Sequence, residues 1–466
     1  MALLALHLFS ALAFVVSSSS ATSIISQIGV CYGQLGNNLP TPSKSIQLLQ
    51  KLNATGVKLY DADPNILNAL NGTKIHITVM VPNELIINIS SNQTLADQWV
   101  QHNVVPYYPR AMIRYILVGN EVLSYNFKPL WFYLVPAMKK IHLSTETFGL
   151  SSIKVGTPLA IDVVESSVLL PSNGTFRSDI SNKIMKPLLQ FLNSTKSFFF
   201  IDVYPYFEWA SKPNSISLDY TLFAAQNVTF KDPVSGLIYR NLLDQMLDSV
   251  VFAMNKLGYP SIPLFIAETG WPNDGDIDQI GANIYNAATY NRNLVKKFTA
   301  KPLVGTPARP GANISVNIFA LYNENQKPGP STERHFGLLH ANGTNVYDID
   351  LSGKTPDSTY SPLPQPTNNK PYKGKIWCVV AQGASWTELG RELDFACGQD
   401  NRTCEAIRPG GKCYKPNWFV LHASYAFSSY WAQFRQTGET CFFNGLAVQT
   451  SKDPSYLSCQ FPSVNL

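Results

Sequence analysis

Between residues 27 and 325, short apolar or β-branched runs alternate with longer segments that space their apolar residues as helices do. Strands that alternate with helices are typical of parallel pairing, and eight such units close a (β/α)₈ barrel. The alternative is an open doubly wound sheet, but no Gly-rich phosphate loop follows the first run. We therefore predict an α/β fold, a (β/α)₈ TIM barrel, with its strands in Gln27–Gly33, Gly56–Asp61, Lys74–Pro82, Tyr115–Glu121, Ile153–Ile161, Phe198–Tyr206, Pro263–Thr269 and Ile314–Tyr322.

Two of these strands end in a glutamate. Glu268 closes the apolar run Pro263–Ala267 and is followed by Gly270, and Glu121 follows Tyr115–Val118 in the same way. A carboxylate at such a position is costly unless it is paired or used, and catalytic groups collect at the carboxyl ends of barrel strands. Glycoside hydrolysis requires two carboxylates at one bond, so the pair predicts that chemistry.

Two segments between the strands have apolar residues at helical spacing, Ser43–Leu52 and Arg240–Leu257. Stripes of this kind pack against a core. We predict two helices that cover the barrel, and we assign no function to them.

The composition argues against binding to polyanions. The net charge is +5, and no run of Lys or Arg forms a stripe that could neutralise phosphates, so we predict no nucleic-acid partner. A charged fraction of 14% with 12% aromatic residues instead suits a secreted protein that handles neutral, ring-shaped ligands.

The N-terminal segment has the pattern of a secretory signal. An apolar run from Leu3 to Val16 leads into the small residues Ser17–Ala21, and this run is short for a bilayer span. We predict a signal peptide over residues 1–21. Only Gln460–Leu466 follow the last cysteine, without a hydrophobic tail for a lipid anchor, so we expect a secreted, extracellular protein with no membrane anchor.

Asn-x-Ser/Thr sequons agree with a secretory route, although any one of them alone could be an unmodified surface asparagine. The glycosylation candidates are Asn53, Asn71, Asn88, Asn92, Asn173, Asn193, Asn227, Asn313, Asn342 and Asn401.

The composition changes twice after the eighth run. Residues 349–374 are rich in Pro, Ser, Thr and Asn, which bury too little apolar surface to fold, so we predict an extended linker. The last segment holds six of the seven cysteines, which in a secreted chain predicts a small module stapled by disulfides. These cysteines are Cys378, Cys397, Cys404, Cys413, Cys441 and Cys459, and sequence alone permits fifteen pairings of them.

A metal site is the alternative use of these cysteines. No Cys-x-x-Cys occurs in the segment, and the nearby histidine is His422 alone, so we predict no metal and no cofactor. The seventh cysteine, Cys31, lies in the middle of the first predicted strand, where we expect a buried free thiol.

Sequence motifs now point to a family. The barrel segment contains, in order, Ile28–Gly33 with Asn37–Pro40, Val118–Glu121, Val203–Phe207, Ala267–Pro272 and Tyr322–Lys327. This series resembles the plant endo-β-1,3-glucanases of glycoside hydrolase family 17. The last segment resembles the X8 carbohydrate-binding module of family 43 through Trp377–Cys378, Ala396–Gly398, Cys413–Tyr414 and His422–Phe427.

The resemblance implies a retaining double displacement. Glu268 would be the nucleophile, and Glu121 would be the proton donor that later acts as general base. The acid has to stay protonated while the nucleophile is ionised, so their environments must differ. The resemblance also places a tyrosine, Tyr60, close to the nucleophile.

A supporting cluster is implied by the same family. Glu324, Lys327 and Glu333 would orient and tune the catalytic pair, and a solvated salt bridge in a loop is the alternative. Sugar rings stack on aromatic faces while amides and carboxylates bind their hydroxyls, with core packing as the alternative for each aromatic residue. The substrate-binding candidates are Tyr32, Asn120, Tyr204, Tyr206, Phe207 and Trp271.

For the whole chain, the resemblance implies a hydrolase barrel over residues 24–348, a linker over 349–374 and a module over 375–461. The implied disulfides are Cys378–Cys441, Cys397–Cys404 and Cys413–Cys459. We expect a monomer that hydrolyses internal bonds of β-1,3-glucan at the cell wall. The alternatives are a non-catalytic glucan-binding protein and a transglycosylase, and β-1,3-glucan and mixed-linkage glucan both stay open as substrates.

Overall fold

A computed structural model describes residues 27–165 and 170–466, so the predicted signal peptide lies outside the described residues. The strands are β1 (Ile28–Tyr32), β2 (Gly56–Leu59), β3 (His76–Val81), β4 (Ile113–Val118), β5 (Lys154–Gly156), β6 (Pro158–Ala160), β7 (Phe199–Asp202), β8 (Phe230–Lys231), β9 (Ile238–Tyr239), β10 (Leu264–Thr269), β11 (Gly305–Thr306), β12 (Arg309–Pro310), β13 (Ser315–Ile318), β14 (Lys375–Val380), β15 (Ala447–Thr450) and β16 (Val464–Asn465).

The α-helices lie between and after these strands. They are α1 (Pro42–Lys51), α2 (Pro64–Ala69), α3 (Ile86–Ser91), α4 (Gln93–Asn103), α5 (Trp131–Thr147), α6 (Lys186–Ser194), α7 (Pro205–Ser211), α8 (Leu218–Thr221), α9 (Leu242–Lys256), α10 (Ile284–Thr299), α11 (Trp386–Gln399) and α12 (Phe419–Phe434). The two helices predicted from apolar spacing, α1 and α9, are both present. Among the described residues, no helix has the length and apolar character that a membrane crossing requires.

The large sheet is a barrel. Its strand order is β5-β4-β3-β2-β1-β13-β10-β7-β6, and neighbouring strands pair in parallel. The two edge segments, β5 and β6, are consecutive in the chain and are separated by Thr157 alone. The chain itself therefore completes the ring, and the predicted (β/α)₈ barrel is confirmed.

One predicted strand differs from the structure. The run Ile153–Ile161 is two short strands, of which the first pairs with β4 and the second with β7. Pro158 begins the second strand and has no N–H to continue a ladder, while its carbonyl accepts a hydrogen bond from the Glu121 N–H at 3.1 Å. The start of β6 is therefore hydrogen-bonded to Glu121, which follows the end of β4.

Apolar side chains fill both sides of the sheet. The main core lies between the strands and the surrounding helices. Inside the barrel, the rings of Tyr115, Phe198, Phe200 and Phe265 lie 5.1–6.0 Å apart near the amino ends of their strands. This packing closes one end of the barrel and leaves the carboxyl end for polar groups. Cys31 is a buried free thiol, as predicted.

The segment after the barrel has little regular structure, but hydrogen bonds fasten it to the barrel. The Asp350 carboxylate accepts a hydrogen bond from the Asn53 amide at 2.9 Å, and the Arg292 guanidinium lies 4.1 Å from the centre of the Tyr360 ring. Near the segment's end, the Gly281 N–H donates to the carbonyl of Asn368 at 2.8 Å. We expected a linker without such anchors, but backbone carbonyls, amides and one ring provide contacts that need no apolar burial.

The C-terminal region has its own small core. A three-stranded sheet in the order β15-β14-β16 packs with α11 and α12. Its disulfides are the ones that the resemblance implied, Cys378–Cys441, Cys397–Cys404 and Cys413–Cys459. A core of this size depends on such bridges, which contribute roughly 2–4 kcal/mol each.

The sequons lie mostly on the surface. Asn313 is half-buried, and the side chains of the other nine candidates are exposed. Their accessibility is compatible with glycosylation, which stays a prediction.

Candidate active site

A cleft of about 480 Å³ opens at the carboxyl ends of the barrel strands. Both predicted catalytic glutamates line it, together with residues at the ends of strands β2, β4, β6, β7 and β13 and in the loops that follow them. The lining residues are Tyr60, Asn120, Glu121, Ser124, Ala160, Ile161, Asp162, Asp202, Tyr204, Phe207, Glu208, Met246, Glu268, Phe319, Lys327, Glu333 and Phe336.

Glu268 is buried and receives three hydrogen bonds. Its Oε1 accepts from the Lys58 ammonium at 2.5 Å and from the Tyr60 hydroxyl at 2.6 Å, while its Oε2 accepts from the Tyr204 hydroxyl at 2.6 Å. Burial alone would raise the pKa of Glu268, but Lys58 and the two hydroxyls outweigh burial and lower this pKa. The carboxylate is therefore held ionised and oriented.

Lys58 and Asp202 complete this network, and sequence analysis missed both. The Lys58 side chain is fully buried, and its Nζ lies 3.8 Å from the Asp202 carboxylate and 3.3 Å from Oδ1 of the Asn120 side chain. Burial raises the pKa of Asp202 well above its usual range, against the opposing effect of Lys58. The sequence did carry a signal, because a lysine between Val57 and Leu59 in an apolar strand is costly unless it has a charged partner.

Glu121 lies in a different environment. It follows β4 with a left-handed backbone, φ 48° and ψ 35°, and its side chain receives no hydrogen bond from Lys58 or a tyrosine among the described contacts. Burial, with the Glu268 charge as the second cause, raises the pKa of Glu121 to about 7. This carboxyl stays protonated in mildly acidic solution, where Glu268 is ionised.

The predicted substrate-binding residues separate into two groups. Asn120, Tyr204 and Phe207 line the cleft, and the Phe207 ring is 45% exposed. Three others, Tyr32, Tyr206 and Trp271, are buried in the core.

The burial of these three rings has local causes. The Tyr32 hydroxyl donates to Ser45 at 3.0 Å, and the Trp271 indole donates to the Gly281 carbonyl at 2.8 Å. The Tyr206 and Trp271 rings pack edge to face, 5.1 Å apart. The structure thus places these three rings in the core, the alternative given for each aromatic residue, and not in the cleft, because all three are buried and the polar atoms of Tyr32 and Trp271 already have protein partners.

Comparison with known proteins agrees with this geometry. The family model of glycosyl hydrolases family 17 matches residues 28–351, and the X8 domain model matches residues 376–448. The chain belongs to glycosyl hydrolases family 17. Over the full length of both chains it is 54% identical to a probable glucan endo-1,3-beta-glucosidase A6 of Arabidopsis thaliana.

Two solved structures match about 70% of this chain. One is CJP38, a beta-1,3-glucanase and allergen of Cryptomeria japonica pollen, which is 40% identical with a TM-score of 0.66 and covers 70% of this chain and 99% of its own. A second is one of two plant beta-glucan endohydrolases with distinct substrate specificities, 35% identical with a TM-score of 0.64, covering 69% of this chain and all of its own.

The predicted supporting cluster of the family 17 barrel is divided between two places. The Lys327 ammonium pairs with Glu333 at 3.4 Å, and both side chains line the cleft. Glu324 is buried outside the cleft lining, where it accepts a hydrogen bond from the Leu35 N–H at 2.7 Å. Gly33 makes room for Glu324, because a Cβ at residue 33 would lie 2.5 Å from a carboxylate oxygen. Glu324 thus ties together the loops that follow the first and last strands of the barrel.

Proposed function

We propose that this family 17 protein is a secreted, endo-acting hydrolase of β-1,3-glucan at the cell wall that works by a retaining double displacement. The observation that carries the proposal is the opposite pKa shift of two carboxyl groups in one cleft. Burial raises the pKa of Glu121 to about 7, whereas Lys58, Tyr60 and Tyr204 lower the pKa of Glu268. Such a pair supplies a proton donor and an ionised nucleophile in the same solution.

In the first step a carboxylate oxygen of Glu268 attacks the anomeric carbon, and the Glu121 carboxyl gives its proton to the departing glycosidic oxygen. The bond to the leaving sugar breaks as the glycosyl ester forms. In the second step the Glu121 carboxylate takes a proton from water, whose oxygen attacks the same carbon and releases Glu268. The exposed Phe207 ring and the Asn120 amide would hold the glucose units.

A reducing-sugar assay on laminarin tests the proposal. Glu268→Gln keeps nearly the same shape but cannot form the ester, so we expect complete loss of hydrolysis while the protein still folds. Glu84→Gln, an exposed glutamate outside the cleft, is the matched control and should keep wild-type turnover. Activity of Glu268→Gln equal to that of the wild type would refute the assignment.

We also infer that the X8 region binds glucan. Two tryptophans, Trp386 and Trp418, are 67% and 66% exposed, and Trp386 stacks on Phe419 at 5.5 Å between ring centres. Exposed rings of this kind cover the apolar face of a sugar. Sedimentation with insoluble β-1,3-glucan should fall for Trp418→Ala and Trp386→Ala and stay unchanged for Phe395→Ala, whose ring is 45% exposed. Equal retention of all the variants would show that the two tryptophans are not the binding surface.

A non-catalytic glucan-binding protein would be expected to have lost the interactions that prepare the two carboxyl groups for catalysis. Instead, Glu268 keeps three hydrogen bonds, and the pKa of Glu121 is shifted in the direction that a proton donor needs. Transglycosylation would use the same residues, with another glucan in place of water. Product analysis of a labelled oligosaccharide separates hydrolysis from transfer, because transfer alone yields products longer than the substrate.

A further inference from the structure

The X8 region is docked on the barrel beside the active-site cleft. The Asp278 carboxylate, in the loop after β10, accepts a hydrogen bond from Arg435 at 3.2 Å and another from Gln449 at 3.1 Å. Next to it, the Ile277 side chain packs against the hydrophobic core of the X8 region. The Arg435–Asp278 pair is only 27% and 22% exposed, so the contact is partly shielded from solvent. These contacts fix the side of the barrel on which the module lies.

A second contact reaches a barrel loop that carries residues of the cleft. The guanidinium carbon of Arg334 lies 3.5 Å from the centre of the Phe442 ring, which belongs to the X8 region. The same guanidinium donates hydrogen bonds to the carbonyls of Lys327 at 2.9 Å and of Gly329 at 3.1 Å. One arginine therefore connects a module ring to the backbone of a barrel loop.

The loop held in this way carries two residues of the cleft. Lys327 and Glu333 lie at its ends, pair with each other and line the cleft together with Glu121 and Glu268. Neither Arg334 nor Phe442 lines that cleft. Any effect of Phe442 on catalysis would thus pass through the position of this loop and not through contact with substrate.

We propose that the X8 region positions the active site of the barrel, with Phe442 and Arg334 as positioning residues for the loop over residues 327–334. The proposal rests on the proposed hydrolase function. The module then affects hydrolysis of short soluble oligosaccharides as well as of insoluble glucan. A module that served only as a polysaccharide anchor would affect insoluble substrate alone.

The test compares full-length variants on a short soluble β-1,3-gluco-oligosaccharide. Phe442→Ala removes the ring over Arg334, and we expect kcat/KM to fall about threefold to tenfold, in line with one cation–π contact between two half-buried groups. Phe395→Ala is the matched control, because its ring contacts Tyr430 of the module, and it should keep the wild-type value. If Phe442→Ala does not fold, Phe442→Leu keeps the apolar bulk and removes only the aromatic face.

A double-mutant cycle identifies the route. If Phe442 acts through Arg334, adding Phe442→Ala to Arg334→Ala causes no further loss, whereas independent effects multiply. Hydrogen exchange of the amides at residues 327–334 gives a readout that does not need activity, and we expect faster exchange in Phe442→Ala.

Unchanged kcat/KM and unchanged exchange in Phe442→Ala would overturn the proposal, as would equal losses in Phe395→Ala. An inactive wild-type protein would instead refute the proposed function, and exchange at residues 327–334 would still decide whether the module holds the loop.

Discussion

The two carboxyl groups that we propose to be catalytic share a cleft but differ in what surrounds them. Glu268 receives an ammonium and two hydroxyls, and these donors lower its pKa in spite of burial. Glu121 is half-buried without such donors and faces the charge of Glu268, so its pKa rises to about 7. The comparison shows that burial alone does not decide the protonation state of a carboxyl group. The hydrogen-bond donors and charges around each group decide whether its pKa is raised or lowered.

After loss of the proposed nucleophile itself, the largest effect should come from removing Glu121, the proposed acid. Glu121→Gln cannot protonate the leaving group, and we expect hydrolysis of glucan to fall by about 10²–10⁴-fold. Azide, which attacks the glycosyl ester without a general base, should restore little activity on glucan. It should restore far more on a β-glucoside with a good leaving group, measured by release of that group. Equal rescue on both substrates would contradict the role of Glu121 as proton donor.

The second largest effect should come from removing Lys58, the cation beside Glu268. Lys58→Met leaves the Glu268 and Asp202 carboxyls buried without their counter-charge, a situation that typically costs about 3–5 kcal/mol. We expect a higher pKa of Glu268 and therefore a shift of the acidic limb of kcat/KM to higher pH, with a lower melting temperature. Lys296→Met is the control, since Lys296 forms a solvent-exposed pair with Asp357 that contributes little. An unshifted acidic limb in Lys58→Met would contradict this role.

The two tyrosines allow a finer comparison of the Glu268 oxygens. Oε1 accepts hydrogen bonds from Lys58 and Tyr60, whereas Oε2 accepts one from Tyr204. A hydrogen bond to a charged group contributes about 1.5–3 kcal/mol, so each Tyr→Phe change should lower kcat/KM roughly tenfold to a hundredfold. A carboxylate oxygen that attacks carbon gives up the hydrogen bonds that it accepts. Oε2 accepts one and Oε1 accepts two, so we expect Oε2 to attack. The Tyr60 bond to Oε1 then remains in the transition state, and Tyr60→Phe should cause the larger loss of kcat/KM. A greater loss in Tyr204→Phe would assign the attack to Oε1.

The smallest effect concerns the pH profile of the intact pair. As the proposed acid, Glu121 would be active while protonated, so kcat/KM should decline as the pH rises through about 7. Glu268 is active while ionised, and its lowered pKa places the acidic limb below the usual carboxyl range. The Glu333 charge helps to raise the pKa of Glu121, so Glu333→Gln should move the basic limb slightly to lower pH. An upward shift would contradict this electrostatic picture.

The sequence predicted the elements whose signals are local. Apolar runs located all eight barrel strands. Gly270 and Pro272, which end a strand, showed that Glu268 lies at a strand end. Lys58 and Asp202 were missed, because whether a charged residue in an apolar run is paired depends on strands that are distant in sequence. Period and residue type likewise cannot tell a ring in a cleft from a ring in a core. Tyr206 and Phe207 are neighbours in sequence, but only Phe207 faces the cleft.

The segment after the barrel is a second case in which the sequence predicted only part of the structure. Its composition predicted a segment without a core of its own, which is what the structure has. The hydrogen bonds that fasten it to the barrel involve Asn53, Gly281 and other barrel residues, and nothing in the segment itself indicates them. Single polar contacts of this kind, whether from side chains or from the backbone, produce no periodic pattern in the sequence.

The backbone of Glu121 bears on how far the barrel can be stabilised. Its left-handed conformation suits Gly or Asn and is unfavourable for a glutamate, at a typical cost of about 1–3 kcal/mol. A barrel selected in the laboratory for thermal resistance alone should therefore tend to accept Asn at residue 121, gaining stability while losing the proposed acid. Stability and activity are opposed at this one position, so screens for robust variants of this enzyme need to measure turnover and melting together.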